Sequence, residues 1–134
     1  MIIKLRQYEV RDMLKEVFAK THAEFLNKAF GTNYRGFMKT RFPYDEDTWV
    51  WIVSIDGKVR NGWKNVKVSE NEIWEEYVLS GDPTYSKNQE RTYRIAVDVT
   101  QAKNGRKYCI LGKYKFDFEN STSKKHILRK IKEV

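Results

Sequence analysis

Residues 93–116 constrain the fold more than any other part of the chain. Tyr93, Ile95, Val97 and Val99 alternate with Arg94, Ala96, Asp98 and Thr100. Tyr108, Ile110, Gly112, Tyr114 and Phe116 alternate with Cys109, Leu111, Lys113 and Lys115. A period of two sends successive side chains to opposite faces, so each run reads as a half-buried strand. Asn104-Gly105 lies between them and is the preferred pair of a type I′ turn. The chain must therefore contain antiparallel sheet with one face against a core.

Other segments are read in the same way. Residues 49–55 form a strand in which Trp49, Trp51, Val53 and Ile55 share one face and Val50, Ile52 and Ser54 the other. A strand apolar on both faces is central and covered on both sides. Residues 34–42 alternate and read as a strand broken by Pro43, and Val66 and Val68 mark another short strand. Val10, Met13, Leu14, Val17, Phe18, Phe25, Leu26, Ala29 and Phe30 recur at near-helical spacing. They predict an N-terminal helix over about residues 9–30, with Gly31 as its stop. Ser69 or Asn71 reads as a helix cap, and Ile73, Trp74, Tyr77 and Val78 predict a second short helix near residues 70–80. At the C-terminus Ile127, Leu128, Ile131 and Val134 have helical spacing, yet Ile127, Arg129 and Ile131 also alternate. A length of 134 residues gives one domain, 1–134, with the helix at about 9–30 and a β-rich body over about 31–134.

Charge narrows the function. Lys and Arg number 26 against 18 Asp and Glu, a net charge of +8. Such a surplus points to an acidic partner: nucleic acid first, a membrane surface or an acidic protein second. No apolar run is long enough to span a bilayer and the N-terminus lacks a signal peptide, so a cytoplasmic setting without a membrane partner is expected. The single cysteine, Cys109, allows no intramolecular disulfide and no cysteine-based zinc site. His22 and His126 lack neighbours at ligand spacing, so no metal is expected. Asp45, Asp47 and Asp56-Gly57-Lys58 loosely imitate a two-metal nuclease pattern but read more simply as a loop and a turn. No glycine-rich phosphate cradle occurs, and no cofactor is expected.

What remains is Arg60-Asn61-Gly62-Trp63-Lys64-Asn65. An indole stands among two cations and two amides, groups that stack on a base, contact phosphate and hydrogen-bond a base edge. Trp63 has Asn61 and Asn65 two residues away, where the core-type Trp51 has Trp49 and Val53. Further basic clusters are Arg35, Lys39 and Arg41; Lys103, Arg106 and Lys107; and Lys124, Lys125, Arg129, Lys130 and Lys132. They act together only if the fold gathers them on one side.

Three stretches carry a resemblance to a known family. They are Phe30-Gly31-Thr32-Asn33-Tyr34, Asn61-Gly62-Trp63-Lys64-Asn65, and the closing run Leu111-Gly112-Lys113-Tyr114-Lys115-Phe116-Asp117-Phe118-Glu119-Asn120-Ser121 that leads to Arg129-Lys130-Ile131. Over about residues 31–134 the chain resembles PUA-like domains, compact curved-sheet modules that include the SRA and EVE types. The closing run is similar to one in the non-catalytic domains of restriction proteins. The resemblance implies a last strand where helical spacing competes. Together with the periodicities it gives an α+β expectation: an N-terminal helix packed on a curved, mostly antiparallel PUA-like sheet or barrel, with the second short helix near 70–80.

The resemblance also implies a non-catalytic module that binds nucleic acid, DNA or RNA, and reads a modified or flipped base in a defence or restriction context. Any cleavage then needs a separate nuclease or other protein partner. On this reading Trp63 and Tyr34 stack on the base, Asn61 and Asn65 bond to its edge, and Arg35, Arg60 and Lys64 hold phosphates. The alternative is a small interaction protein, an inhibitor or adaptor from a mobile element, that binds an acidic protein surface with Trp and Arg as hot spots.

Overall fold

The computed structural model describes residues 16–36, 40–83 and 90–132. In chain order these residues form β1 (Glu16–Ala19), α1 (His22–Phe30), β2 (Arg41–Asp45), β3 (Thr48–Val53), β4 (Trp63–Ser69), β5 (Glu72–Tyr77), β6 (Tyr93–Ala102), β7 (Gly105–Phe116) and β8 (Lys125–Lys132). The strands make one sheet in the order β2-β3-β6-β7-β8-β5-β4, and β1 pairs with the start of β7. β3 and β6 run parallel, and the other pairs are antiparallel. The sheet curls back on itself. Asp56, just past β3, is bridged to Val66 of the terminal strand β4, and the Gly57 amide donates to the Asn65 carbonyl at 3.0 Å.

Two apolar layers follow. Phe25, Leu26 and Phe30 of α1 pack on Phe42, Val50, Ile52, Ile95, Val97 and Tyr108 on one face of the sheet. Trp51, Ile73, Ala96, Tyr114, Phe116 and Leu128 form a second cluster on the other face. β3 supplies both, Val50 and Ile52 to the first and Trp51 to the second, as its two-faced apolar pattern requires.

The chain is thus a mostly β fold with a single short helix among the described residues, and the expected α+β fold of a long helix packed on a sheet or barrel is overturned. The helix begins only at His22, where the Thr21 hydroxyl accepts the Glu24 amide at 3.1 Å and caps it. Before that cap, Val17 and Ala19 turn inward while Glu16 and Phe18 face out, and the segment pairs with β7. Residues 9–15 of the expected helix lie outside the described residues. Gly31 does end the helix, with φ of 70° and its amide on the Asn27 carbonyl.

The second helix near 70–80 is also overturned, because residues 72–77 are β5, held between β4 and β8. Its inward side carries Ile73, Glu75 and Tyr77, so a buried carboxylate hides the alternation. Of the strand expected over 34–42, residues 37–39 lie outside the described residues and residues 34–36 are not strand; β2 begins at Arg41 and runs through Pro43, which an edge strand tolerates. The C-terminal segment is a strand. Where it meets β7, Asp117 accepts from the Asn120 backbone and side chain, and the buried Ser121 hydroxyl accepts the Ile127 amide at 2.9 Å. The closing run noted in the sequence is therefore a turn lock.

The β6–β7 hairpin is shifted by one residue from the expected turn. Ala102 pairs with Gly105, so Lys103 and Asn104 are the loop. Only Asn104 of the two has positive φ, 63°, which excludes type I′. Gly105 is nonetheless required: its φ is 152°, and an added Cβ would lie 3.1 Å from the Ala19 carbonyl oxygen of β1. Gly105→Val should therefore cost about 1–3 kcal/mol. Thermal denaturation checks this; an unchanged Tm with lost nucleic-acid binding would make the tip a contact site instead.

Candidate nucleic-acid interface

The site is built from a two-residue hairpin. Arg60 and Trp63 exchange backbone hydrogen bonds of 2.7 and 3.0 Å across Asn61-Gly62. Asn61 and Gly62 both have positive φ, 54° and 87°, as a type I′ turn demands. The type I′ Asn-Gly turn is thus here, just ahead of β4, and not between β6 and β7 where the alternation suggested it. A Cβ on Gly62 would fall 2.6 Å from the Tyr77 ring and 2.9 Å from Leu79. Only glycine lets the turn lie this close to β5.

Trp63 opens β4 opposite Tyr77, with ring centroids 5.1 Å apart, and the His126 ring lies 5.2 Å from the indole. Asn65 is opposite Glu75, and Glu75 is opposite His126. Directly opposed residues share a face, so β4, β5 and β8 present these five side chains together. Trp63 is half-buried and belongs to neither apolar cluster.

Beneath this row lies a buried charge network. Glu75 Oε1 accepts from His126 Nδ1 at 2.6 Å and from the Arg94 guanidinium at 3.2 Å. Arg94 is fully buried, also pairs with Glu90 at 2.9 Å, and lies 4.6 Å over the Trp51 ring. Arg41 joins Glu90 at 3.1 Å. Burial alone would push the Glu75 carboxyl up, but Arg94, His126 and Arg41 outweigh it and hold the group down at about 2. The network fixes the positions of Glu75 and His126.

A cavity of about 440 Å³ opens over this row. Arg60, Asn61, Trp63 and Asn65 line it, with Glu75, His126, Arg41 and Lys58. The Asn65 side-chain oxygen is buried there without a hydrogen-bond partner among the described residues. A buried acceptor left unmet costs about 1–3 kcal/mol, which a donor on a bound molecule would recover. Arg60 is held by Asp56 through two bonds of 2.9 and 2.8 Å, which keep the Asp56 carboxyl well below its ordinary range. His22 also borders the cavity and hydrogen-bonds the Tyr108 hydroxyl at 2.8 Å. Burial first, then Arg106, lowers its pKa and favours the neutral ring.

Four of the seven residues singled out from sequence, Arg60, Asn61, Trp63 and Asn65, meet at this cavity. Three do not line it. Tyr34 packs edge-on against Phe42, ring centroids 6.3 Å apart, beside the helix-side cluster. Arg35 is exposed in the loop after α1. Lys64 alternates with Trp63 and Asn65 and so faces the other side of β4. Glu75, His126 and Arg41 complete the cavity, and Tyr77 backs Trp63 from outside its lining. Glu75 and His126 escaped the sequence reading, because sheet pairing brings them from distant segments. For His126 the signal was the alternation across residues 125–132.

The carboxylates that imitate a nuclease are engaged otherwise: Asp45 accepts the Asp47 amide at 2.8 Å, and Asp56 holds Arg60. Among the described residues no group of three or more His, Cys, Asp or Glu is placed to hold a metal, and no helix is long and apolar enough to cross a membrane.

Known proteins bear out the resemblance. No curated protein matches the chain. Among solved structures, that titled "The 5-Hydroxymethylcytosine-Specific Restriction Enzyme AbaSI" superposes with a TM-score of 0.63 at 18% identity, covering 88% of this chain. The match takes in 39% of the enzyme's chain, so this protein corresponds to well under half of it, and the likeness is one of fold. The family model of the SET and RING associated domain matches residues 5–134. With its curled sheet and the closing turn lock between β7 and β8, the chain belongs to the SRA family, a PUA-like family of DNA-binding domains.

Proposed function

We propose that this domain is a non-catalytic DNA reader that accepts a modified base, extruded from the duplex, in the Trp63 cavity. The observation that carries the reading is the half-buried indole on the wall of a 440 Å³ cavity, outside both apolar clusters and beside amides and cations. The base stacks on Trp63, worth about 1–3 kcal/mol. Asn61 and Asn65 bond to its edge, with the unmet Asn65 oxygen as an acceptor. Arg60 holds a phosphate at the mouth, sharing its guanidinium with Asp56. Tyr34 has a packing role, and Arg35 and Lys64 contribute charge at a distance.

Membership in the SRA family favours DNA over an acidic protein as the partner. The likeness to a restriction enzyme specific for 5-hydroxymethylcytosine supports a modified cytosine as the base and a defence or restriction context. Cleavage in that setting falls to a nuclease partner, and a cytoplasmic location goes with it.

Titration of duplexes carrying cytosine, 5-methylcytosine or 5-hydroxymethylcytosine, each at several salt concentrations, tests the reading. At least one modified duplex should bind tenfold or more above the plain one, the scale of one good base-edge contact. The log of affinity should fall against log salt by about 0.9 per phosphate neutralised. Weak, equal binding to all three would favour an acidic protein partner.

A further inference from the structure

A second cavity of about 490 Å³ adjoins the first and shares Ser54, Lys58, Arg60 and Val99 with it. Its far wall comes from the β6–β7 hairpin, whose Gln101 and Arg106 are directly paired. The fold thus joins two basic clusters that lie far apart in sequence, Lys58 with Arg60 and the hairpin tip. Two carboxylates also face this groove, and both are committed. Asp56 is held by Arg60 and by the Lys58 amide, and Asp98 accepts the Ile55 amide at 3.1 Å. Among the described residues neither Lys58 nor Arg106 has a carboxylate within ion-pair distance. The groove therefore offers two cations without a carboxylate partner among the described residues, Arg106 also hydrogen-bonding the Tyr108 hydroxyl, with the exposed amide of Gln101 beside them.

We propose that this groove binds the phosphodiester backbone of the strand whose base enters the first cavity, with Lys58 and Arg106 each neutralising one phosphate. The proposal rests on the base-cavity reading. A base in the first cavity brings its own sugar and phosphates to the wall the cavities share, and the strand must leave along a surface that accepts its charge. The groove is the polar, cationic exit that borders that wall. Arg106 presents fixed donors to phosphate, and Lys58 acts as a point charge. Neither contact reads sequence, so both serve affinity and register alone.

The test is the salt dependence of duplex binding for Arg106→Gln, Lys58→Gln and Lys115→Gln. Lys115 is exposed on β7 and lines neither cavity. Arg106→Gln and Lys58→Gln should each make the log–log slope shallower by about 0.9 and weaken every duplex by the same factor. Any preference for a modified or mismatched base should persist, and Lys115→Gln should change the slope clearly less. The proposal is overturned if the two groove variants keep the wild-type slope, match Lys115→Gln, or lose only the base preference. Shallower slopes in a protein that shows no base preference would uphold the groove while removing the base-cavity reading.

Discussion

Trp63→Ala should abolish most DNA binding and leave the fold standing, while Trp51→Ala should unfold the domain. The two indoles sit in different environments. Trp51 is 1% exposed, belongs to an apolar cluster and carries the buried Arg94 guanidinium 4.6 Å over its ring. Truncating a core tryptophan costs about 3–5 kcal/mol, a large part of the stability of a domain this size. Trp63 is half-buried beside Tyr77 and His126 at a cavity wall. Losing its stacking should weaken binding tenfold or more, from about 1–3 kcal/mol. Melting curves and duplex titrations on both variants separate the outcomes. Equal loss of stability in the two would place Trp63 in the core and remove the residue on which the site rests.

Arg94→Met should be among the most destabilising single substitutions in the chain. The guanidinium is fully buried between Glu75 and Glu90, and its removal leaves both carboxylates without their shared cation. Breaking a buried pair by deleting one partner costs about 3–5 kcal/mol. Chemical denaturation measures it. Adding Glu75→Gln to Arg94→Met should recover part of the loss, because one stranded charge disappears, and strict additivity would contradict the coupling.

The same network sets an acid limit. Glu75 titrates at about 2 in the folded protein against an ordinary 4.5, so the native state binds fewer protons than the unfolded chain between those values. The contribution is complete above pH 4.5, on the order of 3 kcal/mol, and is lost as pH falls toward 2. Wild-type stability should fall steeply through that window, and Glu75→Gln should flatten the fall.

The most legible parts of the fold were those where local pattern and burial agree. β6, β7 and β3 alternate or are apolar on both faces because both faces meet apolar layers. The Gly31 stop was readable because a helix end in this form needs a left-handed residue. The failures have specific causes. Val17 and Phe18 joined a helical pattern that the cap at Thr21 cuts off, and the pair Thr21 and Glu24 was the missed signal. β5 has helical apolar spacing because its inward Glu75 answers charges from β6 and β8, partners far away in sequence.

The candidate site was half legible for the same reason. Arg60, Asn61, Trp63 and Asn65 come from one local hairpin, so their chemistry stands together in the sequence. Tyr77, Glu75 and His126 reach the site only through the registers of β4 with β5 and of β5 with β8. Tyr34 carries the right ring on a segment that the fold places by the helix.

The central claim is that a base leaves the duplex and enters the Trp63 cavity. Extrusion costs least at a mismatched base, so a protein that flips its target binds a mismatch more tightly than a matched pair. The decisive measurement is the affinity of wild type and Trp63→Ala for two short duplexes that differ only by one central mismatch, at one salt concentration. Wild type should prefer the mismatched duplex by tenfold or more, the few kcal/mol of unpairing no longer spent, and Trp63→Ala should show little preference. Equal wild-type affinity for the two duplexes, or a preference that survives intact in Trp63→Ala, would contradict it.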